Sequence, residues 1–155
     1  MAAKVLDIVS FIETKLNAIK TSGGYHTNVA KVAVYRDTTS APFEAAELPG
    51  INLYYAHESD VVLEDEKAGP AGIWTRALPL KAEFSIQAGQ GSDVAGFNLA
   101  MDIIKAIGVD MTCGGVAIRI HNVKYSLTLE QEKKIVSGGV VEFTVEYRTD
   151  RFQET

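Results

Sequence analysis

The stretch GGVVEFTVEYRTDRF, residues Gly138 to Phe152, decides the fold. Mainly apolar and polar side chains alternate along it, which is the two-residue period of a half-buried β-strand. One side of the extended chain carries Val141, Phe143, Val145, Tyr147 and Thr149, and the other carries Glu142, Thr144, Glu146 and Arg148. The pattern therefore predicts a long strand with one face in a hydrophobic core and the other facing water or a partner.

Two other segments have the spacing of apolar residues that is typical of helices. The first lies within residues 1–20 and ends at Ser22 to Gly24, and the second begins at a cap, Ser92 or Asp93, and ends near Gly108. The first helix is predicted to bury Val5, Ile8, Val9, Ile12, Leu16 and Ile19, and the second to bury Phe97, Ala100, Met101, Ile104 and Ile107.

Four more segments alternate as strands do, and they comprise residues 28–36, 50–57, 78–88 and 116–129. Pro79 cannot donate a backbone hydrogen bond, so we expect the third of these strands to begin on a sheet edge. In the fourth, the apolar phase slips by one residue around His121 and Asn122, which predicts a β-bulge. This strand and the last one, joined by the loop 130–139, are predicted to form an antiparallel hairpin.

These elements predict one α+β domain over residues 1–155 in the order α-β-β-β-α-β-β. We expect a mixed, mostly antiparallel sheet of about five strands with two helices packed on one face. A chain of 155 residues, of which 46% are hydrophobic and 23% charged, is long enough to bury its own core.

The charge and the cysteine count limit what the protein can bind. A net charge of −5 argues against a surface that grips nucleic acid, because that affinity comes largely from Lys and Arg. Cys113 is the only cysteine, so no internal disulfide can form and a reducing compartment is expected. Asp7, Glu13 and Lys15 interrupt the apolar run of a signal peptide, and no stretch approaches the roughly 20 apolar residues that span a bilayer.

Three sets of residues were candidates for chemistry, and none has the required spacing. In Gly89 to Gly96, Val94 occupies the third glycine position of a dinucleotide-binding fingerprint. The histidines His26, His57 and His121 are far apart, and Cys113 lacks a basic neighbour and is expected to be a structural thiol. The sequence therefore predicts no catalytic residue, no cofactor and no metal, and it favours a protein that is not an enzyme.

The segment Glu58 to Gly72 is predicted to be an acidic loop, in which five acids accompany Lys67 alone. These acids are Glu58, Asp60, Glu64, Asp65 and Glu66. The loop is either a solvated hairpin tip or an arm that faces a partner or a channel. We expect it to be mobile in the isolated subunit, and any ordering to occur only in an assembly.

The order of elements and several stretches resemble the tail terminator, or tail completion, proteins of long-tailed bacteriophages and prophages. The stretches are GGYHTNVAKVAVYR, AELPGINLYYAHESD, RALPLKAEFSIQA, AIGVD and QEKKIVSGGVVEFTVEYRTDRF. The resemblance implies a structural protein that forms a ring, usually a hexamer, on the last ring of tail-tube protein. It would stop tail polymerisation and present a surface to the head-tail connector.

The same resemblance implies assembly in the bacterial cytoplasm and a final location at the head-proximal end of the virion tail. DNA would pass through the ring without sequence-specific binding. We expect the interface residues to be Glu142, Glu146, Arg148 and Arg151 near the last strand, with Glu58, Asp60, Glu64, Asp65 and Glu66 of the acidic loop. Charge changes at Glu142, Glu146 and Arg148 are expected to leave the subunit folded.

Two alternatives remain open. One is another tail or neck component, such as a tube subunit, a minor tail protein or a head-tail joining protein. The other is a small-ligand-binding domain or an enzyme that uses the sheet face as its pocket, which would require buried polar groups at inward positions.

Overall fold

In a computed structural model, the chain is described for residues 4–38, 40–55, 61–65, 73–87, 91–128 and 136–150. Only the backbone is described for residues 61–65, 92, 136, 137 and 150. Within these ranges the chain forms two α-helices and six β-strands. The helices are α1 (Lys4–Asn17) and α2 (Ser92–Gly108), and the strands are β1 (Lys31–Val34), β2 (Gly50–Tyr55), β3 (Val61–Asp65), β4 (Ile73–Gln87), β5 (Arg119–Thr128) and β6 (Val136–Asp150).

All six strands belong to one mixed sheet. Its strands follow the order β1-β2-β4-β6-β5, and β3 pairs with β4 outside this path. The β1 and β2 pair is parallel, and all other pairs are antiparallel. The predicted α+β class and order of elements are confirmed, with one strand, β3, added.

The centre of the sheet is the pair formed by β4 and β6, which is continuous from Ile73 opposite Asp150 to Gln87 opposite Val136. Near the start of β6 the neighbouring strands come very close. A Cβ atom at Gly138 would lie 2.1 Å from the carbonyl oxygen of Phe84 in β4, and one at Gly139 would lie 2.3 Å from that of Ser126 in β5. Glycine is therefore required at both positions for the three strands to pair.

The hydrophobic core lies between the two helices and one face of the sheet. Along β6 the core side chains are Val141, Phe143, Val145 and Tyr147, and Phe143 is 1% exposed. The helices contribute Ile8, Val9, Ile12 and Leu16 from α1, and Leu99, Ala100, Ile103, Ala106 and Ile107 from α2. The predicted inward face of the last strand is confirmed, and so is most of the predicted face of α1.

The predicted bulge in β5 is also confirmed. The register between β5 and β6 shifts between His121 and Lys124, so Asn122 and Val123 together lie opposite Phe143. Asn122 has a φ of 53°, in the left-handed region that asparagine tolerates better than most residues. Because of the extra residue, Tyr125 and Leu127 lie on the same face of the sheet as Ile120.

The expected edge position of Pro79 is wrong, because β4 is a central strand. Its pairing with β2 is described as far as Tyr55 opposite Leu80, and its pairing with β3 begins at Val61 opposite Ala77. Pro79 falls between these two sets of pairs. Its missing N–H group therefore costs no hydrogen bond in either set.

The predicted inward face of α2 is partly wrong. Phe97 is 48% exposed and Met101 is 41% exposed, whereas Leu99 and Ile103 are fully buried. The helix is apolar on most of its circumference, so its rotation is decided by packing and not by periodicity. The predicted cap is wrong as well, since the N-cap residue is Gly91 with a φ of 82°.

The segment predicted as an acidic loop contains β3, so the prediction of a loop is wrong for residues 61–65. Val61, Val62, Glu64 and Asp65 pair with β4, with an irregularity between Val62 and Glu64. Residues 58–60 and 66–72, and with them most of the predicted loop, lie outside the described residues. The expectation that the loop is mobile stays a prediction.

Candidate interaction surface on the charged face of the sheet

The face of the sheet opposite the helices carries the polar side chains of β6. Glu142, Thr144 and Glu146 alternate with the core residues of this strand and lie on the opposite face. Across the strands they are paired with Lys81, Pro79 and Ala77 of β4 and with Lys124, His121 and Arg119 of β5. Charged side chains from three strands are therefore aligned in rows across this face.

Glu142 is the centre of the first row. Its carboxylate lies 3.0 Å from the Nζ atom of Lys124 and 3.2 Å from that of Lys81. Hydrogen bonds from Lys124 and Lys81 hold the pKa of Glu142 below its usual value. The carboxylate is therefore fixed between two ammonium groups, one on each neighbouring strand.

Glu146 is the centre of the second row. It accepts a hydrogen bond from the Nε atom of Arg119, and the Nε2 atom of His121 lies 3.2 Å from the same carboxylate oxygen. Glu146 is 8% exposed, so the expectation that it is an open surface position is wrong. Removing its charge would leave Arg119 without this acceptor at a buried position, and we expect this to affect the fold itself.

A third group of polar contacts lies towards β2. Glu83 accepts hydrogen bonds from the hydroxyls of Thr38 and Tyr54, both at 3.2 Å. Burial, followed by the charge of Glu83, raises the pKa of Tyr54 to about 12. Asn52, which is 3% exposed, exchanges two hydrogen bonds with the backbone of Arg36, at 2.7 and 3.0 Å.

Arg36 organises the loop that joins β1 to β2. Its guanidinium donates to the carbonyls of Ala41 and Pro42 and to both carboxylate oxygens of Glu47, at 2.8 to 3.2 Å. It also lies 4.8 Å from the ring centroid of Phe43. The hydrogen bonds from Arg36, with one from the backbone of Glu44, lower the pKa of Glu47 to about 2. The loop is therefore held by one arginine that donates to three of its residues.

The predicted interface residues are partly brought together. Glu142, Glu146 and Arg148 lie on the same face of β6, as expected, and Arg148 is exposed. Thr75 of β4 pairs with Arg148 on one side and with Glu64 on the other, so Glu64 lies two strands away in the same row of the sheet. Glu58, Asp60, Glu66 and Arg151 lie outside the described residues.

The partners of these acids were not predicted from the sequence. Lys81 and Lys124 pair with Glu142, and Arg119 pairs with Glu146, but the two lysines belong to strands that are about 40 residues apart in sequence. Only the strand pairing could have identified them. The alternation of Lys81 and Glu83 with apolar residues in β4 was the one local signal, and it showed which face they occupy.

This surface differs from a small-molecule site. A depression on it, lined by Lys124, Tyr125, Ser126, Val140 and Glu142, has a cavity volume of about 210 Å³. Sites for small molecules are typically clefts of about 300–1,000 Å³ lined mainly by apolar groups. The shallow, charged surface is closer in character to the polar part of a protein interface.

Cys113 is buried, and burial, followed by the charge of Asp110, raises the pKa of its thiol to about 11. A thiol with this pKa is a poor nucleophile near neutral pH.

Among the described residues, no three His, Cys, Asp or Glu side chains converge as metal ligands would. Neither described helix has the length and apolar character needed to cross a bilayer.

Models of known protein families were compared with the chain, and none of them matches it. A search of curated protein sequences finds no significant match.

Proposed function

We propose that the protein is a structural subunit that caps the tail tube of a long-tailed bacteriophage or prophage. It forms a ring, usually of six copies, on the last ring of tail-tube protein. It stops polymerisation there and presents a surface for the head-tail connector. In this role it acts at the head-proximal end of the tail after assembly in the host cytoplasm.

The observation that carries this proposal is the charged face of the sheet, which neither of the two described helices covers. Two helices cover one face, while the other presents charged residues of β4, β5 and β6 that are already held in place by ion pairs. Such fixed charges favour the docking of a rigid protein surface, because little conformational entropy is lost when the contact forms. The sheet also ends in two strands, β1 and β5, that have no further partner among the described residues.

The charge of the chain is consistent with a ring around DNA. The net charge is −5, and on the charged face of the sheet Lys81 and Lys124 are paired with Glu142. A lumen without unpaired clusters of Lys and Arg would not retain the phosphate backbone as it passes.

Deleting the gene in the phage or prophage that carries it tests the proposal. Electron microscopy should show tails of uncontrolled length and heads that lack tails, and expression of the protein from a plasmid should restore normal particles. Size-exclusion chromatography with light scattering should give the mass of a ring.

Other outcomes identify the alternatives. Long tubes formed by the purified protein alone would indicate a tube subunit. Tails of normal length that fail to join heads after the deletion would indicate a head-tail joining protein. Normal, infectious particles in the deletion strain would contradict all three structural roles.

A further inference from the structure

The charged face of the sheet ends in a strand that carries basic side chains and no carboxylate. β5 contains Arg119, His121 and Lys124 and no acidic residue, although the chain as a whole has a net charge of −5. The bulge places all three on the charged face, because the inserted residue brings Lys124 back to the side of Arg119 and His121. We call these three residues the basic stripe.

The two cations of the stripe extend further into solvent than the carboxylates that they contact. The side chains of Lys124 and Arg119 are 75% and 59% exposed. Those of Glu142 and Glu146 are 27% and 10% exposed. A partner that approaches this edge of the sheet therefore meets the cations first.

Both cations keep donors that their ion pairs do not use. Among the contacts of the described residues, Arg119 reaches Glu146 through its Nε atom alone. Its terminal nitrogens belong to the planar fork that binds a carboxylate in bidentate geometry. Lys124 shares the carboxylate of Glu142 with Lys81, so two ammonium groups face one carboxylate. The stripe therefore retains positive charge and hydrogen-bond donors for a partner.

The opposite edge of the same part of the sheet is acidic. β3 pairs with β4 on the side away from β6, so a row of four strands runs from Val61 in β3 to Arg119 in β5. β3 contains Glu64 and Asp65 and no basic residue. In the sequence, four of the seven residues 60–66 are acidic and none is basic. The chain therefore has a basic edge and an acidic edge on the two sides of β4 and β6.

We propose that the basic stripe binds the acidic edge at β3 of a second copy of this chain. The inference rests on the proposed function, since it assigns a contact between neighbouring subunits of the ring. A contact between two different edges repeats in one direction and can close into a ring. Two basic stripes would repel each other, as would two acidic edges, which disfavours the symmetric contact of a dimer.

A second copy suits the stripe better than nucleic acid does. Affinity for nucleic acid comes from many Lys and Arg contacts to phosphates, and the stripe offers only Arg119 and Lys124 in a chain of net charge −5. Two cations are enough for discrete ion pairs with the carboxylates of a protein. The acidic edge at β3 supplies such carboxylates in every copy.

Charge reversal in the purified full-length protein tests the contact. Lys124→Glu should raise the Kd of the oligomer at least about tenfold, because like charges then meet at the contact. The double variant Glu64→Lys with Asp65→Lys should do the same. Light scattering over a dilution series measures both. Lys124 also belongs to the row that the proposed function assigns to the tail tube or the connector, so the samples contain neither of these partners.

Two control variants change the net charge by the same amounts at exposed positions elsewhere. Ser22→Glu with Met111→Glu matches Lys124→Glu, and Asp7→Lys with Asp93→Lys matches the variant of β3. Both controls should keep the wild-type mass, and urea denaturation should give every variant a midpoint close to that of the wild type. If Lys124→Glu lowers the midpoint, Lys124→Gln replaces it in the dilution series.

An equimolar mixture of the two reversed variants tests which edges meet. In the mixture, the reversed stripe of one variant meets the reversed β3 of the other, and their two unchanged edges meet each other. Every contact then joins opposite charges, so the Kd of the mixture should be at least about tenfold lower than that of either variant alone. A mixture that associates no better than the separate variants would show that these two edges do not meet.

Salt gives an independent measurement. Raising the ionic strength from 0.1 to 1 M shortens the Debye length from about 10 to about 3 Å, so the Kd of the wild type should rise at least about fivefold. Two copies of net charge −5 repel each other as wholes, so screening of the net charge alone would strengthen association. Association that strengthens or stays constant as salt is added would contradict the contact.

Failure of this inference is distinguishable from failure of the proposed function. The inference is overturned by a wild-type protein that is monomeric up to about 1 mM, a concentration that detects even weak association. Duplex DNA that binds the wild type but not Lys124→Glu would assign the stripe to nucleic acid and overturn it as well. Tail length in the deletion strain tests the capping role in each case. Normal tails in that strain, together with restored association in the mixture, would leave the contact standing and overturn the capping role.

Discussion

Phe143 and Phe97 have the same side chain in opposite surroundings. Phe143 is 1% exposed and packs in the core between β6 and the helices, whereas Phe97 is 48% exposed on the flank of α2. The free energy of burying a side chain depends on the apolar area removed from water, so the two residues contribute very differently to the stability of the subunit.

Truncating each phenylalanine tests this difference. We expect Phe143→Ala to lower the free energy of unfolding by about 3–5 kcal/mol, because it removes a fully buried ring and leaves a cavity. Phe97→Ala should cost less than about 1 kcal/mol in the monomer. Urea denaturation of both variants at a concentration where the protein is monomeric gives the comparison, and equal losses would show that Phe143 is not part of the core.

The pKa of Glu47 predicts how acid affects the loop held by Arg36. This pKa is lowered from 4.5 to about 2, so the interaction stabilises the fold fully above pH 4.5 and is lost as the pH falls through 2. The wild type should therefore be more stable than Glu47→Gln at pH 6, and the difference should shrink between pH 4.5 and 2. Thermal denaturation across this range measures it, and a difference that stays constant to pH 2 would contradict the ion pair.

Among the elements of the fold, the bulge in β5 depends most clearly on the type of one residue. It keeps Ile120 and Tyr125 on one face although they are five residues apart, which requires one residue to be inserted without a partner. Asn122 provides this residue with its φ of 53°. Without the bulge, Tyr125 and Val123 would turn to the charged face, and the contact between the rings of Tyr125 and Phe97 would be lost.

Substitutions at Asn122 test the bulge. Asn122→Val should lower the free energy of unfolding by about 1–2 kcal/mol, because a β-branched residue is strained in the left-handed region. Asn122→Gly should be tolerated, since glycine adopts this conformation without strain. Chemical denaturation of both variants distinguishes them. If valine is accepted as well as glycine, the strand does not have this conformation.

In the whole molecule, the two faces of the sheet have separate tasks. One face and both helices form the core, which leaves the other face free to carry Lys81, Glu142 and Lys124 in one row. In the proposed function this row contacts the tail tube or the connector. A test must change its charges without breaking the ion pairs that hold them.

A charge-swapped variant meets this condition. Lys81→Glu, Glu142→Lys and Lys124→Glu made together keep opposite charges in contact, so the subunit should stay folded with a loss of no more than about 1 kcal/mol. A partner surface that complements the wild-type row would then meet repelling charges. We expect abnormal tail lengths when this variant replaces the wild type, measured by electron microscopy.

The control variant is Ser22→Glu with Met111→Glu, which changes the net charge by the same amount at exposed residues in the turns after α1 and α2. It should give normal tails. Normal tails from the charge-swapped variant would remove the row from the interface with the tail tube and the connector.

Several features of the fold were predicted from the sequence because they depend on short-range patterns. The alternation of Val141 to Tyr147 indicated which face of β6 is buried, and the phase slip at Asn122 indicated the bulge. Both signals lie within one strand. Side chains of a strand alternate strictly, so a partly buried strand records in its own sequence which side meets the core.

Other features could not be predicted in this way. The predicted rotation of α2 about its axis was wrong because apolar residues surround most of that helix. Only the contacts of α2 with α1, β4, β5 and β6 decide which of these apolar residues are buried. The strand β3 was missed because Glu64 and Asp65 disfavour a strand locally, while its pairing with β4 is a long-range contact.

Some features of the candidate surface were likewise predicted from the sequence, and others were not. Sequence periodicity was sufficient to place Glu142, Glu146 and Arg148 on one face and Phe143 on the other. The tertiary structure decided that Lys124 and Lys81 pair with Glu142, that Glu146 is buried against Arg119 and His121, and that the exposed Phe97 contacts Tyr125. The periodicity of the sequence indicates whether a residue faces the core. The identity of its neighbours depends on which strands pair and in which register. It could not be predicted in this way, because those pairings join residues that are far apart in the chain.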